Sequence, residues 1–162
     1  METYEIKFQS AILRRGFWIY VVQITDSKGK KYYYVGRTGD SSSVNAASLF
    51  VRLGRHFENK KKAKGNTLWR AIEREEIDKD KLSFQIVGFY LQKEEKQKEK
   101  YQKIIKEISC VEDKLHKDLE KVVGEVLGTQ WKNGKGLFEN SEKQYDDIVS
   151  TVNEKFGLKV KE

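Results

Sequence analysis

The chain has no proline, one cysteine, one methionine and two histidines in 162 residues. Without proline, every turn must be made with glycine, asparagine, aspartate or serine. The single cysteine, Cys110, excludes an intrachain disulfide. One thiol cannot build a zinc site alone, and His56 and His116 are far apart in the sequence. A reducing compartment suits such cysteine usage, so a cytoplasmic protein is expected. No apolar run approaches the roughly 20 residues of a membrane-spanning helix. The N-terminus has no signal-peptide pattern.

Charge is plentiful. Charged residues make up 35% of the chain and hydrophobic ones 38%. That suits one core under a heavily charged surface, and a single domain over 1–162 is expected. Lysine and arginine outnumber the acids 32 to 25, a net charge of +7. A basic surface of this kind suits a polyanion, most simply nucleic acid.

The strongest local signal lies in residues 17–57. Two aromatic, β-branched runs, 17–25 and 31–36, flank Asp26-Ser27-Lys28-Gly29-Lys30. That is the pattern of a β-hairpin. A polar loop over 38–45 leads to a helix over 46–58, with Asn45 or Ser43 as candidate caps. Leu49, Phe50 and Leu53 are expected to face inward. Arg52 and His56 stand four apart and so share one helix face.

Elsewhere the pattern predicts an N-terminal strand within 3–13, with Arg14-Arg15-Gly16 as its turn. A helix is expected over 67–77, with Thr67 as cap, and a third strand over 82–91. That strand is apolar on both faces and is therefore expected to be central. Residues 93–127 read as one long helix ending at Gly128. Its apolar stripe is Ile104, Ile108, Val111, Leu115, Leu119, Val122 and Val126. Its first third, 93–103, is nearly all Lys, Glu and Gln and is expected to meet solvent. A turn-rich loop follows at 131–136, then an amphipathic helix over 141–156 and an edge strand at 158–160. The basic cluster Lys60, Lys61, Lys62 and Lys64, with Arg55, offers phosphate contacts that need reach and charge but no fixed geometry.

The hairpin and helix together carry Trp18-Ile19-Tyr20, then Tyr34-Val35-Gly36-Arg37, then Arg52 and His56. This combination resembles the GIY-YIG nuclease family over roughly residues 15–135. Trp18 stands where that family's first glycine usually sits, and the interval between the two tyrosines is longer than usual. Singly, each residue is an ordinary strand or helix residue; the specificity lies in their order. The resemblance implies an α+β fold, with a small three-stranded mixed or antiparallel sheet flanked by helices. The N-terminal strand and a C-terminal helical extension, 141–162, would be additions to it.

The resemblance also implies a metal-dependent endonuclease, restriction-like or stand-alone, acting on double-stranded DNA. Phosphodiester hydrolysis needs an activated water, neutralised phosphoryl charge and a stabilised leaving oxygen. Tyr20 would act as general base or orient the water. A phenol near pKa ~10 is a poor base at neutral pH, so Arg37 or Arg52 would have to lower it. Tyr34 would bond the phosphate or the water, Arg52 would clamp the scissile phosphate, and His56 would assist. Glu120, between Leu119 and Val123, is the expected ligand of Mg²⁺ or Mn²⁺, with Glu112 as the alternative. Asn133 matches an asparagine common after the catalytic helix. The competing reading is a nucleic-acid or protein-binding module on the same fold. A dimer is compatible with either.

Overall fold

The expected hairpin forms, and it is the middle of the sheet. A computed structural model describes residues 3, 5–40, 43–58, 66–79, 81–128 and 142–158. Strand β1 (Gly16–Thr25) pairs antiparallel with β2 (Lys31–Arg37), placing Tyr20 opposite Gly36 and Val22 opposite Tyr34. Asp26 closes the turn, its Oδ1 accepting from the amides of Lys28 and Lys30 at 2.9 Å each. An aspartate that satisfies its own turn in this way does what proline would otherwise do for the backbone.

Strand β3 (Ser83–Lys93) lies antiparallel on the other side of β1, and the short β4 (Val126–Leu127) pairs parallel with β2. The sheet therefore runs β3-β1-β2-β4. The class is α+β, as expected, but the sheet has four strands and not three. The fourth does not come from the N-terminus. Residues Ser10–Leu13 form a 3-10 turn, and the described residues before it form no strand. The alternation there is spent otherwise: Phe8 stacks on Phe50, with ring centroids 5.2 Å apart. The third strand is also not central. None of its residues is buried, whereas β1 is buried from Gly16 to Ile24. Apolar residues on both faces of β3 are half covered at the sheet's edge.

Helices cover both faces. Against one lie α1 (Leu49–Phe57) and α2 (Thr67–Arg74), enclosing Trp18, Tyr20, Val22, Ile24 and Tyr34 with Leu49, Leu68 and Ile72. Against the other lie α3 (Lys98–Val123) and α4 (Glu142–Phe156), enclosing Phe17, Ile19, Val21, Tyr33 and Val35 with Ile108, Leu115 and Phe156. Alternation along β1 feeds both layers. Each large side chain fully buried this way contributes about 1.5–3 kcal/mol.

Several boundaries differ from expectation. Helix α1 starts later, with Ser48 as its cap and its Oγ accepting from the Val51 amide at 3.3 Å. Phe50 consequently faces out, 46% exposed. Neither Asn45 nor Ser43 caps the helix; the Asn45 carbonyl instead accepts from the Tyr101 hydroxyl at 2.8 Å. Tyr101 is fully buried, so the charged start of α3 is pinned to the loop before α1 and is not wholly in solvent. Thr67 is the first helical residue of α2, and Asn66 takes the cap position. Helix α3 stops at Val123 because Gly124, at φ 90°, turns the chain. That stop releases Val126 and Leu127 to pair with β2. The loop at 131–136 and the positions 159–160 of the expected edge strand lie outside the described residues. Among the described residues, no helix is long and apolar enough to cross a membrane.

Candidate functional site

The C-terminal end of β2 opens into a cleft of about 640 Å³ between the two helical layers. Tyr34 and Arg37 reach it from β2, Arg52 from α1, Thr67 from α2 and Glu112 from α3. Residues distant in the chain meet here because β2 is the strand both layers touch at this end.

A chain of hydrogen bonds runs from the core to the cleft wall. The Tyr20 hydroxyl lies 2.5 Å from His56 Nε2, and both residues have no solvent exposure. On the other side of the ring, the Leu68 amide donates to Nδ1 at 3.3 Å. An amide can only donate, so Nδ1 is unprotonated and Nε2 carries the hydrogen. Histidine 56 therefore donates to Tyr20. Thr67 Oγ1 lies 3.2 Å from Nδ1 and 2.9 Å from the Tyr34 hydroxyl. Threonine then donates to Nδ1 and accepts from Tyr34. Burial, and then Arg52, push the His56 pKa down to about 3, which keeps the ring neutral.

Gly36 makes room for this chain. A Cβ there would stand 2.5 Å from the Tyr20 hydroxyl oxygen and 2.6 Å from ring carbon Cζ. The glycine of Tyr34-Val35-Gly36 is thus required by the tyrosine paired opposite it.

Burial holds the Tyr20 phenol well above its ordinary pKa, and Arg52 offsets this only in part. The expected lowering by Arg52 is present but outweighed by burial. Arg37 is engaged elsewhere: its Nε donates to Glu112 Oε2 at 2.9 Å and its Nη1 to the Gly39 carbonyl at 2.8 Å. Burial raises the Glu112 pKa, opposed by Arg37 and Arg52. Arg52 itself has a buried Nε with no hydrogen-bond partner. The rim of the cleft is basic, with Arg55, Arg70 and Arg74.

The structure brings together Tyr34, Arg37, Arg52 and Arg55 of the expected site, with Glu112 and not Glu120. Glu120 lies two turns further along α3 and is not among the residues lining the cleft. Tyr20 and His56 do not line it either; they stand behind Tyr34 and Thr67. Lys60, Lys61, Lys62, Lys64 and Asn133 lie outside the described residues. Sequence reasoning missed Thr67 as a bridge, Arg70 and Arg74 as rim residues, and His116 in the cleft. The i, i+4 spacing of Arg70 and Arg74 was the available signal for a basic helix face.

Among the described residues, no group of three or more His, Cys, Asp or Glu side chains forms a metal cage. Mg²⁺ does not need one, since it keeps much of its water and takes one or two carboxylates. Glu112, on an open cleft with one oxygen outside the Arg37 bond, suits such an ion.

No protein-family model matches the chain, and no curated protein or solved structure matches it.

Proposed function

We propose that the chain is a metal-dependent endonuclease of the GIY-YIG type, cleaving phosphodiester bonds in double-stranded DNA. The observation that supports this best is the convergence of Arg52, Arg37, Tyr34 and Glu112 on one cleft with an arginine rim. An arginine guanidinium lining the cleft together with the Tyr34 side chain matches the acceptors of a phosphodiester. In this reading Arg52 and Tyr34 bind and orient the scissile phosphate. Arg55, Arg70 and Arg74 hold the flanking backbone. Tyr20 and His56 are positioning residues, fixing Tyr34 through Thr67. Glu112 would hold Mg²⁺ or Mn²⁺, which when bound supplies neutralisation of phosphoryl charge and stabilisation of the leaving oxygen.

A second reading, a binding module without catalysis, is favoured by one observation. Tyr20 and His56 are sealed from the cleft, and Glu112 is already paired with Arg37.

Supercoiled plasmid with and without Mg²⁺ or Mn²⁺ separates the two. The nuclease reading expects metal-dependent nicking or linearisation, lost in Arg52→Ala. It expects Glu112→Ala to lose cleavage while still binding DNA, and Glu120→Ala to keep cleaving. Binding without cleavage under either metal supports the module.

A further inference from the structure

We propose that the open edge of β3 pairs with β3 of a second copy of this chain, antiparallel about a two-fold axis at Ile86. The pairing does not require that the chain cleave DNA.

β3 has the composition of an interior strand and the position of an edge. Residues 82–92 carry no charge in a chain that is 35% charged. Phe84 and Ile86 put apolar side chains on one face, and Val87 and Phe89 on the other, all of them half-buried. β1 pairs with one side of this strand. Among the described residues, no strand and no backbone hydrogen bond from another element lies on the other side. Edge strands are usually blunted by proline, by charge or by a bulge. The chain has no proline. The bulge in β3, where Leu91 falls between the pairs Phe17–Gln92 and Trp18–Tyr90, comes after the run 83–90. A long uncharged edge of this kind is a template for another strand.

The groups offered by that edge can be named. The Trp18 carbonyl accepts from the Thr38 amide at 3.0 Å, and the Trp18 amide donates to Thr38 Oγ1 at 2.9 Å. The main chain of Trp18 therefore faces β2, and by alternation so do those of Tyr20, Val22 and Ile24. Their partners on β3 are Gly88, Ile86 and Phe84. These three are then the pairs not hydrogen-bonded to β1, and they turn N–H and C=O outward. Gly88 marks the opening directly. It is exposed, and a glycine exposes only main chain. The side on which a Cβ would stand is filled by Leu49.

Self-complementarity argues for a second copy as the occupant. With Ile86 facing Ile86 on the axis, Phe84 of one copy faces Gly88 of the other, and each such pair exchanges two hydrogen bonds. An aromatic ring beside an edge glycine covers the main chain that the glycine leaves bare. On the opposite face, Gln85 stands beside Val87, and Ser83 beside Phe89. Each copy carries a net charge of +7, yet no charged residue enters this seam. Two basic chains thus meet here without like charges opposed. The same patch serves both copies, as a two-fold interface requires. Two four-stranded sheets become one, with β4-β2-β1-β3 continuing into β3-β1-β2-β4.

The test uses the full chain in solution. Sedimentation across a micromolar-to-millimolar range should show a monomer passing to a dimer. Amide hydrogen exchange at both ends of that range, read residue by residue by NMR after quenching, should show an alternation. The amides of Gln85, Val87 and Phe89, bonded to β1, exchange slowly throughout. Those of Phe84, Ile86 and Gly88 exchange fast in the dilute monomer and slowly in the dimer. Gln85→Lys sets two ammonium groups diagonally across the axis. It should remain a monomer where the wild type is a dimer, with the Tm of the dilute protein unchanged. A wild type that is monomeric at every concentration overturns the proposal. So does a dimer in which Phe84, Ile86 and Gly88 still exchange fast, since another surface then holds it. Slow exchange of those amides in the monomer overturns it too, because the chain then covers its own edge. A folded Gln85→Lys protein that dimerises like the wild type does the same, and if that variant fails to fold the wild-type exchange pattern still decides.

Discussion

The Tyr20 hydroxyl and His56 Nε2 meet at 2.5 Å across the contact of β1 with α1, with no solvent at either residue. The bond fixes the tilt of both rings, and through Thr67 it fixes the Tyr34 hydroxyl at the cleft wall. Two residues that resemble a catalytic pair in the sequence are, in space, the support for a third.

Tyr20→Phe keeps the ring and removes the acceptor for the Nε2 hydrogen. Leaving that buried donor unmet should cost about 1–3 kcal/mol. For a chain of this size that is a fall in Tm of roughly 2–4 °C per kcal/mol. Thermal denaturation followed by circular dichroism measures it, and an unchanged Tm would sink the account of the bond.

Gly36→Ala should be more damaging. The new methyl would meet the Tyr20 oxygen at 2.5 Å and ring carbons Cζ and Cε2 at 2.6 and 2.8 Å. Because ring carbons are involved, Tyr20→Phe should not rescue it, whereas Tyr20→Ala should remove the clash. Urea denaturation of the single and double variants decides the matter.

His56 makes stability acid-sensitive. Its folded pKa, about 3, lies below the unfolded value of 6.5. The stability it contributes is full above the unfolded pKa and is lost as pH falls from there towards the folded one. The loss is at most about 1.4 kcal/mol per pH unit for this one proton. The urea midpoint of the wild type should fall across that window more steeply than that of His56→Gln. Parallel slopes would refute it.

Glu112 acts with the opposite sign. Burial raises its folded pKa, so its contribution is full below the ordinary carboxyl value and is lost as pH rises through the raised one. Glu112→Gln should therefore gain stability relative to the wild type at neutral pH and not at acid pH. Arg37→Ala, which strips the carboxylate of its partner at 2.9 Å, should destabilise at neutral pH by as much as about 3–5 kcal/mol. The Glu112→Gln exchange should restore much of that loss. Equilibrium unfolding of the four proteins at two pH values tests the pair.

The parts of the fold that could be read from the residues are those with long, one-sided patterns. The aromatic runs of β1 and β2 with Asp26 between them define a hairpin on their own. The stripe Ile108, Val111, Leu115 and Leu119 defines the buried face of α3. What escaped was short or degenerate. β4 has two residues, too few for any period, and its existence depends on a glycine ending α3. The choice between Glu112 and Glu120 could not be made locally. Both follow an apolar residue and precede another three later, so the helix repeats the same pattern two turns apart. Only the meeting of α3 with Arg37 on β2 brings Glu112, and not Glu120, to the cleft. His116 carries no pattern at all; it is visible only as a buried ring whose nitrogens have no hydrogen-bond partner.

The cleft is a seam. One wall belongs to the layer of α1 and α2, the other to α3, and the two layers meet at the cleft beside the end of β2. Neither layer alone holds both a guanidinium like Arg52 and the Glu112 carboxylate. A small slippage of α3 along the sheet would leave secondary structure and much of the core intact while drawing the two walls out of register. If the chain cleaves DNA as proposed, activity would then vanish well before the chain unfolds, and a cleavage assay under mild denaturant would report how rigidly the layers are held together.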